Sequence, residues 1–141
     1  MTAHPINGQT WIICGGRDFS DQEMFDSAMN SVMTLRGCPS QVVQGGATGA
    51  DALARAWAKR MAVPCATEEA NWAAYGNAAG PIRNRRMLDE WNPVSAVIAF
   101  PGGRGTADMV RKARGSLVDV IEIVPSREEV DQQEDVCTEQ L

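Results

Sequence analysis

Residues 94–109 read VSAVIAFPGGRGTADM, and the fold of the chain turns on how this stretch is parsed. An apolar, β-branched run of strand length, Val94–Phe100, leads directly into the turn PGGRGT, Pro101–Thr106. A polar segment with helical character, Thr106–Gly115, follows, and Gly115 marks its expected end. A strand that passes through a glycine turn into a helix is half of a crossover unit, and crossovers of that kind connect parallel strands.

The same unit occurs twice upstream. TWIIC, Thr10–Cys14, ends at Gly15-Gly16, and SQVVQ, Ser40–Gln44, ends at Gly45-Gly46. After the first strand, Met24, Phe25, Ala28, Val32 and Leu35 recur at helical spacing, and Gly37 closes the run. Ser20 with Glu23 forms a capping-box pattern there, with Asp21 as the alternative cap. After the second strand, TGADALARAWAKRMA places Leu53, Ala54, Trp57 and Met61 on one helical face. VPCAT, Val63–Thr67, reads as a weak third strand. Glu68–Gly80 has no period and reads as a loop. A helix resumes at Pro81, and LVDVIEIV, Leu117–Val124, is the last strand.

The alternation predicts one α/β domain over residues 10–125. Its architecture is Rossmann-like, with three layers and a mainly parallel sheet of about five strands. Ligands of such sheets bind beyond the carboxyl ends of the strands, so the three glycine turns are expected on one rim.

Composition narrows the function classes. The chain has 141 residues, 44% of them hydrophobic and 22% charged, with no apolar run of membrane-spanning length. The N-terminus MTAHPINGQT lacks a signal-peptide pattern, so a cytoplasmic location is expected. Cys14, Cys38, Cys65 and Cys137 are widely spaced, and His4 is the single histidine. No metal site and no cofactor are therefore expected. The net charge of −5 comes from the tail: Arg127–Leu141 holds six acids and one base, leaving twelve of each elsewhere. The segment 126–141 is expected to be solvated and disordered. The neutral remainder argues against nucleic-acid binding, which needs a basic surface.

The glycine turns carry the chemistry. Gly15, Gly16, Gly45, Gly46, Gly102, Gly103 and Gly105 allow a ligand to approach the backbone. Two of the turns open helices, whose N-terminal amides favour anions. Thr48 and Thr106 add hydroxyls, and Arg17 and Arg104 can clamp phosphate. Asp51 and Asp108 each admit two readings, as helix-dipole partners or as acceptors for ribose hydroxyls. Trp72, Tyr75 and Asn77 precede Arg83, Arg85 and Arg86, an arrangement suited to stacking a base beside a phosphate. Arg83, nearest the helix start, is expected in the pocket, and Arg85 or Arg86 at the surface. Met24, Met29 and Met33 are either core residues or a contact surface.

GGRDF, GGATGAD, GPIRNRRM and PGGRGT, in this order over Trp11–Val124, resemble the SLOG superfamily of Rossmann-like nucleotide-binding proteins. The arrangement is most similar to its YspA/YpsA-related group, found in bacteria and their phages. The superfamily also includes the lonely-guy phosphoribohydrolases and the Smf/DprA proteins. The resemblance implies a pocket for a nucleotide or ADP-ribose-derived small molecule, in a sensing or sequestering protein. It also implies a homo-oligomer. The alternative it implies is a nucleoside 5′-monophosphate phosphoribohydrolase, with Arg83 and Asp108 as the acting residues. This chain departs from the enzymes at one point: the glutamate that ends their PGGxGTxxE motif is Met109 here. Asp108 lies one residue earlier, about 100° around the helix. Methionine cannot stabilise the oxocarbenium-like centre of N-glycoside cleavage.

Overall fold

Successive side chains of the first strand face opposite layers, and this alternation organises the molecule. The computed structural model describes residues 8–124. The expected acidic tail at 126–141, His4 and Cys137 lie outside the described residues. In chain order the elements are β1 (Thr10–Cys14), α1 (Gln22–Arg36), β2 (Gln41–Gln44), α2 (Ala50–Met61), β3 (Cys65–Thr67) and α3 (Trp72–Tyr75). A 3₁₀ turn (Gly76–Ala78), α4 (Ala79–Glu90), β4 (Ala96–Ala99), α5 (Arg104–Gly115) and β5 (Asp119–Glu122) complete them.

Trp11 and Ile13 pack with Phe25, Met29 and Val32 of α1 and with Ala54 and Trp57 of α2. Ile12 faces the other way, onto Met87 and Leu88 of α4 and Met109 and Ala113 of α5. Two helices thus cover each face of the sheet, giving three layers. Trp11, Ile12 and Ile13 are fully buried, so this central strand reads as a continuous apolar run, as buried parallel strands do.

All the pairings are parallel, in the order β3-β2-β1-β4-β5. The chain runs outward from β1 through β2 to β3, then returns to place β4 on the other flank of β1. The connections therefore diverge between β1 and β4, which opens a crevice at the carboxyl ends of those strands. Phe100 is buried just beyond β4 and stacks on Phe25, with ring centroids 4.6 Å apart.

Five local expectations are corrected or resolved. Asp21, not Ser20, caps α1, its side chain accepting from the Met24 amide at 2.9 Å. The segment after Glu68 is not all loop: Trp72–Tyr75 is one helical turn, capped by Asn71. Helix α4 starts at Ala79, two residues before Pro81, which still lies in the first turn, where the amide proline lacks has no helical partner. Gly115 lies inside α5, and the left-handed residue beyond that helix is Leu117, at φ 61°. Of the three methionines, Met29 is fully buried and Met33 packs against the core.

Candidate functional site

The crevice is a cavity of about 1060 Å³ over the carboxyl ends of β1, β2 and β4, at the upper end of the size range of small-molecule sites. The glycine turns form its floor and walls. Gly16 donates to the Pro101 carbonyl at 2.8 Å, so the turns after β1 and β4 meet backbone to backbone. Gly102 permits this contact, since a Cβ there would lie 2.6 Å from the Gly16 nitrogen. Gly103 and Gly105 are different. A Cβ on either would meet no protein atom within 4 Å, so the space these glycines leave is cavity.

The two helix-opening turns, similar in sequence, both leave first-turn amides without an acceptor among the described residues, those of Asp51 and Ala52 in α2 included, but they differ in how their loops are tied. At the start of α5, the amides of Gly103, Arg104, Gly105 and Thr106 have no acceptor among the described residues. At the start of α2, the Gly46 amide donates to Gln44 Oε1 at 2.7 Å, and the Ala47 amide donates to Asp51 Oδ2 at 3.1 Å. The Ala50 amide donates to the Gly16 carbonyl at 3.1 Å. Gln44 is fully buried and also holds Thr67 and Arg55, so it pins this turn to β3 and α2.

Arg83 reaches the cavity from α4. Its Nη1 donates to the carbonyls of Gly45 and Glu68, both at 3.1 Å, and its Nε to Asn84 Oδ1 at 3.0 Å. Burial pulls its pKa down, and the nearby Asp51 charge acts in the opposite direction. No carboxylate lies in ion-pair contact with Arg83, Arg17 or Arg104 among the described residues, and all three line the cavity. By contrast Arg36, Arg60, Arg85, Arg86, Arg111 and Arg114, outside it, each reach an acid.

Asp51 is 6% exposed and lines the cavity. Burial raises its pKa, against the lowering effects of the Ala47 amide, Arg83, Arg55 and the Gly45 amide. Asp108 is also buried but fully engaged. Lys112 Nζ contacts both of its oxygens at 2.6 Å, Arg111 contacts Oδ1 at 2.6 Å, and Asn84 Nδ2 donates to Oδ2 at 3.0 Å. Burial acts to raise the Asp108 carboxyl, but Lys112, Asn84 and Arg111 outweigh it and hold it below the ordinary carboxylate value. This geometry gives Asp108 a structural role, binding α4 to α5. Met109, at the enzymes' glutamate position, is 1% exposed and packs in the core beneath the cavity. Cys14 also lies on the floor, where burial and then Asp51 push its thiol up to about 12 against a smaller opposing effect of Arg83, so it supplies no thiolate at neutral pH.

Trp72 and Arg17 meet above the cavity, with the guanidinium carbon 5.2 Å from the ring centroid. Arg17 makes no ion pair with its neighbour Asp18. Thr48 Oγ1 donates to the Arg17 carbonyl at 3.1 Å, which ties this side of the mouth to the α2 turn.

Gly15, Gly16, Arg17, Gly45, Gly46, Thr48, Asp51, Trp72, Asn77, Arg83, Gly102, Gly103, Arg104, Gly105, Thr106 and Asp108 all line this one cavity. Tyr75 does not. It is exposed on the outer side of the short helix α3. The sequence reading missed Asn84, Glu69 and Asp18, which also line the cavity. Asn84 left a readable signal: it shares the buried stripe of α4 with Met87 and Leu88, and a polar residue in an apolar stripe needs a partner. Among the described residues no three metal-ligating side chains cluster, and no helix is long and apolar enough to cross a membrane.

Known proteins are similar to this chain in sequence. A family model described as the YspA, cpYpsA-related SLOG family matches residues 11–75, which include the turns after β1 and β2 and Trp72. The Gene 61 protein of Mycobacterium phage D29 is 32% identical over 117 residues, covering 78% of this chain and 92% of that protein. With its glycine turns gathered at the switch point of a parallel five-stranded sheet, the chain belongs to the YspA/cpYpsA-related SLOG family.

Proposed function

We propose that the protein binds a phosphate-bearing nucleotide derivative, of the mononucleotide or ADP-ribose class, and holds it without turnover as a sensor or sequestering protein. The observation that carries this reading is the set of arginines without acid partners. Arg83 is half-buried and Arg17 and Arg104 are exposed at the mouth, and three cations without acid partners around one cavity leave a positive potential that an anion satisfies. The open amides of Gly103–Thr106 supply directional donors for phosphate oxygens on the same rim. Family membership supports a nucleotide-related ligand.

Retention without hydrolysis is supported by the residues at and beside the enzymes' glutamate position. Met109 has no acid function, and Asp108 is neutralised by Lys112 and Arg111. A thermal-shift screen against nucleotides, nucleotide sugars and ADP-ribose derivatives, with chromatography of each mixture afterwards, tests the reading. The expected result is a raised melting temperature with the ligand recovered intact. Recovery of free base and ribose phosphate would overturn the claim of retention, and no shift by any of these compounds would overturn the claim of binding.

A further inference from the structure

The two glycine turns both leave first-turn amides open but differ in charge. The α5 turn offers donors without acceptors, together with Arg104, which has no ion pair among the described residues. The α2 turn has folded its Asp51 carboxylate back onto the Ala47 and Gly45 amides, in the place where a phosphate would otherwise sit. A phosphate there would meet a carboxylate at hydrogen-bond distance, a like-charge contact that costs affinity.

We infer that the turns divide one ligand between them: the α5 turn takes its phosphate, and the α2 turn presents Asp51 as acceptor to a ribose 2′ or 3′ hydroxyl. The inference rests on the proposed nucleotide-binding function and assigns its polarity. Asp51 lines the cavity, is 94% withdrawn from solvent and has no ion-pair contact among the described residues; Arg83 and Arg55 act on it only through space. A carboxylate offers about four acceptor sites, and backbone amides of its own turn use only part of that capacity. A neutral donor from the ligand can fill the rest without the repulsion a phosphate would suffer.

The ground between the turns fits a sugar. Gly16 donates to Pro101 and accepts from Ala50 and Phe19, so its backbone is already occupied and presents only a flat, side-chain-free strip. In a nucleoside 5′-phosphate the 2′ and 3′ hydroxyls lie on the edge of the ribose away from the 5′-phosphate, which suits donors on one turn and phosphate on the other. Trp72 and Arg17 stand on the α2 side of the mouth, where the base would lie.

The test is calorimetric titration of the intact protein with adenosine 5′-monophosphate and with its 2′-deoxy and 3′-deoxy forms, with ADP-ribose and inorganic phosphate as further probes. Removing the hydroxyl that faces Asp51 is expected to lower affinity roughly ten- to a hundredfold, the worth of a hydrogen bond to a charged acceptor. In Asp51→Asn the difference between the ribo and deoxy forms is expected to shrink, while inorganic phosphate binds as in the parent. Equal affinity of the ribo form and both deoxy forms for the parent protein overturns the inference, and this comparison needs no variant to fold. Binding of ADP-ribose without binding of the monophosphate overturns the inference but leaves the proposed function. Silence of every probe removes both.

Discussion

Arg83 Nη1 donates to the Gly45 carbonyl at 3.1 Å, and the missing side chain of Gly45 is what gives that guanidinium room. A Cβ at Gly45 would collide with Nη1, lie 2.8 Å from Cζ and stand 3.0 Å from Asp51 Oδ2. The floor of the cavity is thus built from a glycine in the turn after β2 and an arginine on α4, a helix that covers one face of the sheet.

Gly45→Ala is therefore expected to displace Arg83 and weaken binding of adenosine 5′-monophosphate by about tenfold or more, equivalent to about 1.4 kcal/mol. The free protein should melt within a few degrees of the parent, because the displaced groups can face the cavity. Unchanged affinity in a folded variant would show that Arg83 does not position the ligand.

Asp108 supplies a prediction with a pH signature. Asp108→Asn removes one side of a largely buried ion pair with Lys112 and is expected to destabilise the protein by about 3 kcal/mol at neutral pH. The folded-state pKa of Asp108 lies below its unfolded value, so its contribution is complete above the ordinary carboxylate value of 3.8 and is lost as pH falls through the depressed value. The deficit of the variant should accordingly shrink in acid. Asp51 has the opposite sign. Its raised pKa means the ionised carboxylate costs stability at neutral pH, and the cost is relieved as pH falls through that raised value toward 3.8. Denaturant titrations of Asp108→Asn across this range check both the deficit and its trend. A pH-independent difference would remove the electrostatic account.

Leu117 lies beyond the end of α5 with φ 61° and is 93% exposed. A leucine in the left-handed region is strained by about 1 kcal/mol, and exposure gives it no compensating burial. Leu117→Asn, which tolerates that conformation, is expected to raise the melting temperature by about 4 °C. A lower melting temperature would mean that Leu117 is covered by something outside the described residues.

How far the sequence could be read follows from which interactions are local. Strands ending in Gly-Gly, followed by apolar residues at helical spacing, define the crossover units and hence the layers. The clustering of the three turns then follows from parallel topology. The inequality of GGATGAD and PGGRGT was harder to see. Both place an aspartate near the start of a helix, in the first turn of α2 and just past the first turn of α5, with a base four residues on. Lys112 turns back onto Asp108, but Arg55 reaches past Asp51 to Gln44 and the Ala47 carbonyl, and Asp51 is left to its own loop. That outcome depends on Gln44 being buried at the end of β2, a tertiary fact. The same limit applies around Trp72: the helical turn forms where the indole packs near Gly80, so Tyr75 is carried outward while Trp72 stays over the cavity.

Trp72 offers the sharpest separation of binding from stability. It is 47% exposed, it stands beside Gly80 and the Arg17 guanidinium, and an exposed cation–π contact is worth about 0.5–1 kcal/mol. Trp72→Ala should therefore change folding stability by about 1 kcal/mol at most. Stacking of a ligand base on an aromatic ring is worth about 1–3 kcal/mol, a larger effect. The variant is expected to lose roughly ten- to a hundredfold in affinity for adenosine 5′-monophosphate, with Trp72→Phe retaining most of it. Ribose 5-phosphate, which has no base, should bind parent and variant alike. Equal losses for the two ligands would mean that the indole acts on the phosphate side through Arg17, and the assignment of the base to this side of the mouth would fall.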